Sequence, residues 1–164
     1  MLELEASLAE VYLQPGELYL ARSPVMIRTI LGSCVGATFW SARLGVGALC
    51  HAQLPRSPIP SAGLSVAQGG RYVDFSIRYL VRKFDELGVR RSELQVKLFG
   101  GGDVLLVSEI PSLRPTVGKL NCEAALEVLR SEHLEVMASS LGGTVGLNIQ
   151  FHTGTGEVRL RRLS

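Results

Sequence analysis

Cys34 and His51 are the two side chains in this sequence whose types suit joint chemistry. A free thiol is a weak nucleophile at neutral pH because only a small fraction of it is thiolate. An imidazole beside it can take the proton, and an imidazolium can stabilise the thiolate. The residues before the cysteine suit the same task. Gly32 permits an unusual backbone angle, and Gly32-Ser33-Cys34 can aim successive amide N–H groups at one point. Such a nest would hold the oxyanion of a tetrahedral intermediate. These residues predict a cysteine hydrolase with Cys34 as nucleophile, His51 as base, and Gly32 and Ser33 as backbone support.

Whether the pair meets depends on the hairpin between its members. Residues 35–40 and 46–50 read as strands separated by Ser41-Ala42-Arg43-Leu44. A turn centred between Ala42 and Arg43 sets Cys34 directly opposite His51. In that register Val35 faces Cys50, Ala37 faces Ala48 and Phe39 faces Val46, all apolar and all on one face. The other face carries Gly36, Thr38, Trp40, Gly45, Gly47 and Leu49, which are mostly small, so something can pack closely against it. Directly opposed β-carbons lie about 5 Å apart, within reach of a thiol–imidazole contact. Cys50 falls on the core face as a small hydrophobe, and Cys122 falls on the buried face of a helix. A cysteine and a histidine at this spacing also occur together by chance, so spacing alone leaves a purely structural reading open. A metal site is the weaker reading, because no CxxC or HxxxH pattern supplies further ligands. His133 and His152 read as exposed loop or edge residues, and no metal or cofactor is expected.

The elements around the hairpin come from a chain of 164 residues, 46% hydrophobic and 20% charged, which suits one globular domain spanning 1–164. The net charge of +2 is too small to suggest nucleic acid. Arg159, Arg161 and Arg162 read as a solvated strand face. No apolar run is long enough to span a membrane. The start of the chain, with Glu3, Glu5 and Glu10, lacks the pattern of a secretory leader. Three cysteines form no even disulfide framework, so a reducing, cytoplasmic setting is expected. Further strands are expected at 11–13, 18–21, 25–31, 94–99, 135–138, 145–151 and 157–162. Residues 72–87 carry an apolar stripe at helical spacing, closed by Gly88. A second helix is expected from about Asn121, acting as its cap, to Ser131, with Cys122, Ala125, Leu126 and Leu129 inward. The stretch 55–70 is rich in Pro, Gly and Ser and reads as a flexible loop, either a lid or plain surface. The expected class is α+β in one domain, built from short strands and about two main helices.

Several segments together resemble the CheD family of chemoreceptor glutamine deamidases. They are Leu31-Gly32-Ser33-Cys34-Val35-Gly36, Leu44-Gly45-Val46-Gly47, His51-Ala52-Gln53-Leu54-Pro55 and Arg71-Tyr72-Val73-Asp74. Phe99-Gly100-Gly101-Gly102, Val117-Gly118-Lys119-Leu120-Asn121, Leu141-Gly142-Gly143 and Thr155-Gly156 continue the match. The resemblance implies mixed or antiparallel, sandwich-like sheets flanked by those two main helices, and hydrolysis of selected glutamine side chains on methyl-accepting chemotaxis receptors, in some members also of receptor methyl esters. It implies Cys34 as nucleophile, His51 as general base and Thr29 as the third member that orients the histidine. It also implies receptor cytoplasmic helices and a CheC-type phosphatase as partners, which leaves room for an adaptor role with little catalysis. Two departures stand out: Ser139-Ser140 where the family often has an acidic residue, and Leu147 where it often has arginine.

Overall fold

The computed structural model describes residues 8–104 and 114–164, so Glu3 and Glu5 lie outside the described residues. Short runs rich in β-branched and aromatic side chains, punctuated by Gly, Pro and Ser, form the strands. These are β1 (Ala9–Tyr12), β2 (Leu18–Ala21), β3 (Val25–Leu31), β4 (Val35–Ser41), β5 (Val46–Ala52), β6 (Leu94–Gly100), β7 (Val136–Leu141), β8 (Leu147–His152) and β9 (Val158–Arg162). The helices are α1 (Val66–Gly69), α2 (Val73–Glu86) and α3 (Val117–Ser131). One sheet runs β1-β3-β8-β9 and the other β2-β5-β4-β6-β7. Neighbours are antiparallel except β1 with β3 and β6 with β7. The α+β class with mixed sheets and two main helices is therefore as expected.

Alternation along β4 and β5 builds the layers. Val35, Ala37, Phe39, Val46, Ala48 and Cys50 face a core shared with Ile77, Leu80 and Phe84 of α2 and Val128 and Leu129 of α3. On the opposite face, Leu49 packs with Ile27 and Phe151 of the four-stranded sheet, and Phe99 packs with Leu31 and Ile149. The five-stranded sheet is thus covered on both sides, and β5 is buried at every position. At Gly47 the layers approach closely: a Cβ there would sit 2.9 Å from Thr153 Cβ.

The hairpin register is not the expected one. Ser41 pairs with Val46, the turn is Ala42 to Gly45, and Gly36 rather than Cys34 stands opposite His51. Gly45 adopts φ +63° and donates its N–H to Ser41 O at 2.9 Å, which closes a four-residue loop. The change shifts each partner by two positions and so keeps every side chain on its face. The apolar pattern fits both registers, and only the turn distinguishes them.

The second long helix also begins earlier than expected. Thr116 Oγ1 accepts from Lys119 N at 3.2 Å and caps α3, so Asn121 is interior. The buried face becomes Gly118, Asn121, Ala124, Ala125, Val128 and Leu129. Leu126 is left 40% exposed and Cys122 half-buried. α2 ends as expected, with Gly88 at φ +79° after the last turn and Val89 N donating to Phe84 O. The segment 55–70 carries a single 3-10 turn, Ser61–Gly63, and then α1, capped by Ser65. Arg159, Arg161 and Arg162 lie exposed on the edge strand β9. No helix among the described residues is long and apolar enough to cross a membrane.

Candidate active site

Thr29 and His51 belong to different sheets and meet in the layer between them. Ile27, Thr29 and Leu31 are the buried positions along β3 in this stretch, and His51 shares the inner face of β5 with Leu49. Thr29 is 0% and His51 2% exposed. Thr29 Oγ1 lies 2.6 Å from His51 Nδ1 and donates to the Leu13 carbonyl at 2.9 Å. A hydroxyl has one hydrogen, and a carbonyl can only accept. With that hydrogen directed to Leu13, the threonine oxygen accepts, so Nδ1 carries the imidazole proton. Nε2 keeps its lone pair, with no donor to it among the described residues. Burial pushes the His51 pKa down to about 4, so the ring is neutral at pH 7. The backbone of His51 is held by β2: its N–H donates to Glu17 O at 3.0 Å, and its carbonyl accepts from Gly16 N at 2.7 Å.

Cys34 ends the short turn between β3 and β4 and is half-buried. With Gly36 opposite His51, Cys34 lies diagonal to the imidazole rather than facing it. Diagonal neighbours on one sheet face are about 7–8 Å apart, a gap that side chains span. All three carbonyls of Gly32-Ser33-Cys34 are tied down. Gly32 O accepts from Gly102 N and Cys34 O from Gly101 N, both at 2.9 Å. Ser33 O accepts from Asn121 Nδ2 at 2.9 Å. Burial pushes the Cys34 thiol up, an effect its own backbone N–H partly opposes. The free protein therefore holds a neutral thiol and a neutral imidazole rather than the thiolate–imidazolium pair expected from the residue types. The cause is that both groups are desolvated without a charged partner to offset it.

The other cysteines are placed differently. Cys50 sits in the main core, where burial pushes its thiol up to about 12. Cys122 Sγ lies 3.7 Å from Gly101 O, beneath the turn that ties down Cys34. Among the described residues no group of three or more His, Cys, Asp or Glu is arranged to hold a metal ion. His133 is exposed, and His152 Nδ1 accepts from Gly154 N at the end of β8.

Sequence reasoning missed Asn121. Its carboxamide is wholly buried and also donates to Gln53 O at 3.0 Å. The available signal was Thr116, a better-placed cap, which makes Asn121 an interior helical residue. An asparagine on the buried side of a helix needs partners from elsewhere.

A family model described as CheD chemotactic sensory transduction matches residues 53–162. The protein of Geobacter sulfurreducens named "Probable chemoreceptor glutamine deamidase CheD 2" is 43% identical over 157 residues, covering 96% of this chain and 92% of that one. "Probable chemoreceptor glutamine deamidase CheD" of Maridesulfovibrio salexigens is 38% identical over 161 residues, covering 97% and 95%. The same name belongs to a Pseudomonas savastanoi protein, 37% identical over 153 residues and covering 93% and 84%. With a family model over most of its length and relatives matched nearly end to end, this chain belongs to the CheD family.

Proposed function

We propose that this chain is a cysteine-dependent protein-glutamine deamidase that converts glutamine side chains of methyl-accepting chemotaxis receptors to glutamate. The observation that carries the reading is the relay from Leu13 O through Thr29 Oγ1 to His51 Nδ1, which leaves Nε2 free as a base in a water-poor layer. Family membership gives the substrate: the relatives' names specify a chemoreceptor and a glutamine amide.

The chemistry follows from these groups. His51 Nε2 takes the Cys34 proton as Sγ bonds to the amide carbon, and the carbonyl π electrons move to oxygen. The resulting oxyanion accepts from the backbone N–H groups of Ser33 and Cys34, each donor contributing about 3 kcal/mol. An amide nitrogen leaves poorly unless protonated. Imidazolium Nε2–H supplies that proton, the C–N bond breaks, and ammonia departs. A water then attacks the thioester with His51 again as base, the C–S bond breaks, and the sulfur recovers its proton. The net change is amide plus water to carboxylic acid plus ammonia. Glutamate gains the charge that glutamine lacks, which mimics an unmethylated receptor site.

The substrate glutamines lie on receptor cytoplasmic helices, so the enzyme works in the cytoplasm, and a CheC-type phosphatase is its expected regulator. The test is incubation with cytoplasmic receptor fragments, followed by peptide mass spectrometry for glutamine-to-glutamate conversion. Conversion by the wild type supports the reading, and no conversion of any receptor glutamine would sink it. Co-purification with a CheC-type protein of the same organism checks the partner.

A further inference from the structure

Asn121 is 0% exposed and lies inside the first turns of α3. Its Nδ2 reaches two carbonyls, Ser33 O at 2.9 Å and Gln53 O at 3.0 Å. Carbonyls only accept, so the nitrogen must face them, and the orientation of the amide is fixed by its partners. Oδ1 is then turned away, buried, with no donor among the described residues. A buried acceptor left without a partner is costly, and native structures keep few of them.

The location of this bridge gives the cost a purpose. The last ladder pair between β4 and β5 is Val35 with Ala52. One step further, the strands part into the Cys34 turn on one side and Gln53 on the other. Asn121 spans that fork with its two N–H groups. One arm leads to Cys34, and the other lies two residues from His51. A second effect follows from the planar trans peptide. The carbonyl of Ser33 and the N–H of Cys34 belong to one peptide unit and point in opposite directions. Drawing Ser33 O toward α3 therefore aims the Cys34 N–H away from α3. That same N–H bonds the Cys34 thiol and lowers its pKa.

We propose that Asn121 is a positioning residue: by bridging the Ser33 and Gln53 carbonyls it sets the separation of nucleophile and base and aims the Cys34 N–H at the developing oxyanion. It acts through the backbone. The inference rests on the deamidase reading for the roles of Cys34 and His51.

The test compares wild type with Asn121→Leu, which keeps the bulk and removes both donors. Val128→Ala is the control, a buried change on the same helix far from the fork. Each protein is first shown to be folded by circular dichroism. The two readouts are kcat and KM on receptor fragments, and the pH profile of Cys34 alkylation by iodoacetamide, which needs no substrate. Asn121→Leu should lose about 100-fold in kcat with KM within about threefold. Its alkylation profile should move to higher pH, because the N–H that favours the thiolate is no longer held in place. Val128→Ala should keep the wild-type kcat and profile. Wild-type kcat in Asn121→Leu, or an unmoved alkylation profile with an activity loss that Val128→Ala matches, would overturn the inference. If Asn121→Leu does not fold, Asn121→Ser, with one donor in place of two, should still lose kcat by about tenfold, and wild-type kcat there overturns it equally. Wild type that alkylates at Cys34 and differs from Asn121→Leu, yet converts no receptor glutamine, supports the positioning role and counts against the deamidase reading alone.

Discussion

Thr29 holds His51 in one tautomer only because its own hydrogen is committed to Leu13 O. Removing that oxygen should free the ring to rotate and to exchange tautomers. Thr29→Val is therefore expected to lower kcat on receptor fragments by about 10- to 100-fold with KM little changed, while Thr29→Ser stays within a few-fold of wild type. Equal activity in Thr29→Val would contradict the relay. The charge state gives a second prediction. In the proposed mechanism the neutral thiol and the neutral imidazole are the reactive forms, so activity should require only that His51 be deprotonated. Its pKa of about 4 puts the acid limb of kcat/KM near that pH, well below the ordinary histidine value of 6.5. A limb near the ordinary value would show that the ring is more hydrated than its burial implies. Residue type and the faces of one hairpin suffice to propose Cys34 and His51 as a pair, although the structure sets them diagonal rather than directly opposed. Thr29 was not legible from any local pattern, because it meets His51 only where two sheets stack; family resemblance alone pointed to it. The neutral charge state was hidden for the same reason, since a second sheet must cover His51 before burial can lower its pKa.

At the scale of elements, the site depends on how β4 is launched. Gly100 and Gly101 end β6 in positive-φ conformations, and the N–H of Gly101 holds Cys34 O. A Cβ on Gly101 would collide with Cys122 Sγ and press on Gly118 O. Gly101→Ala should therefore lower unfolding stability in urea by about 1–3 kcal/mol and reduce activity beyond the unfolded fraction, because the Cys34 turn must shift. Unchanged stability would show that α3 yields to the added methyl group. The strand and helix assignments were largely readable because period-2 runs and the stripe of α2 are strong local signals. The hairpin register was not, since two registers related by a two-residue shift bury identical faces. The start of α3 differs from expectation because both Thr116 and Asn121 are good caps, and nothing local shows which one the sheet will pull inside.

The whole molecule carries the cost of the buried histidine. The folded value of about 4 lies below the unfolded value of 6.5, so the unfolded chain binds more protons between these two pH values. Stability is full above the unfolded value and falls as pH drops toward the folded one, by up to about 3 kcal/mol from this group. Urea unfolding at pH 7 and at pH 4.5 should show this loss in wild type and a smaller one in His51→Leu; parallel losses would assign the acid sensitivity to other groups. Sheet stacking links this stability to the proposed site, since the contacts that desolvate His51 also bring Thr29 to it. Family resemblance pointed to mixed sheets with flanking helices, but the strand orders β1-β3-β8-β9 and β2-β5-β4-β6-β7 follow from long-range pairings that local periodicity does not encode. Every step of the proposed chemistry turns on Cys34 as the nucleophile of a receptor deamidase. The most direct test of that role is peptide mass spectrometry of receptor cytoplasmic fragments incubated with wild type and with folded Cys34→Ala. Conversion of specific glutamines to glutamate by wild type and none by Cys34→Ala is the expected result, whereas conversion that persists in Cys34→Ala would rule Cys34 out as the nucleophile.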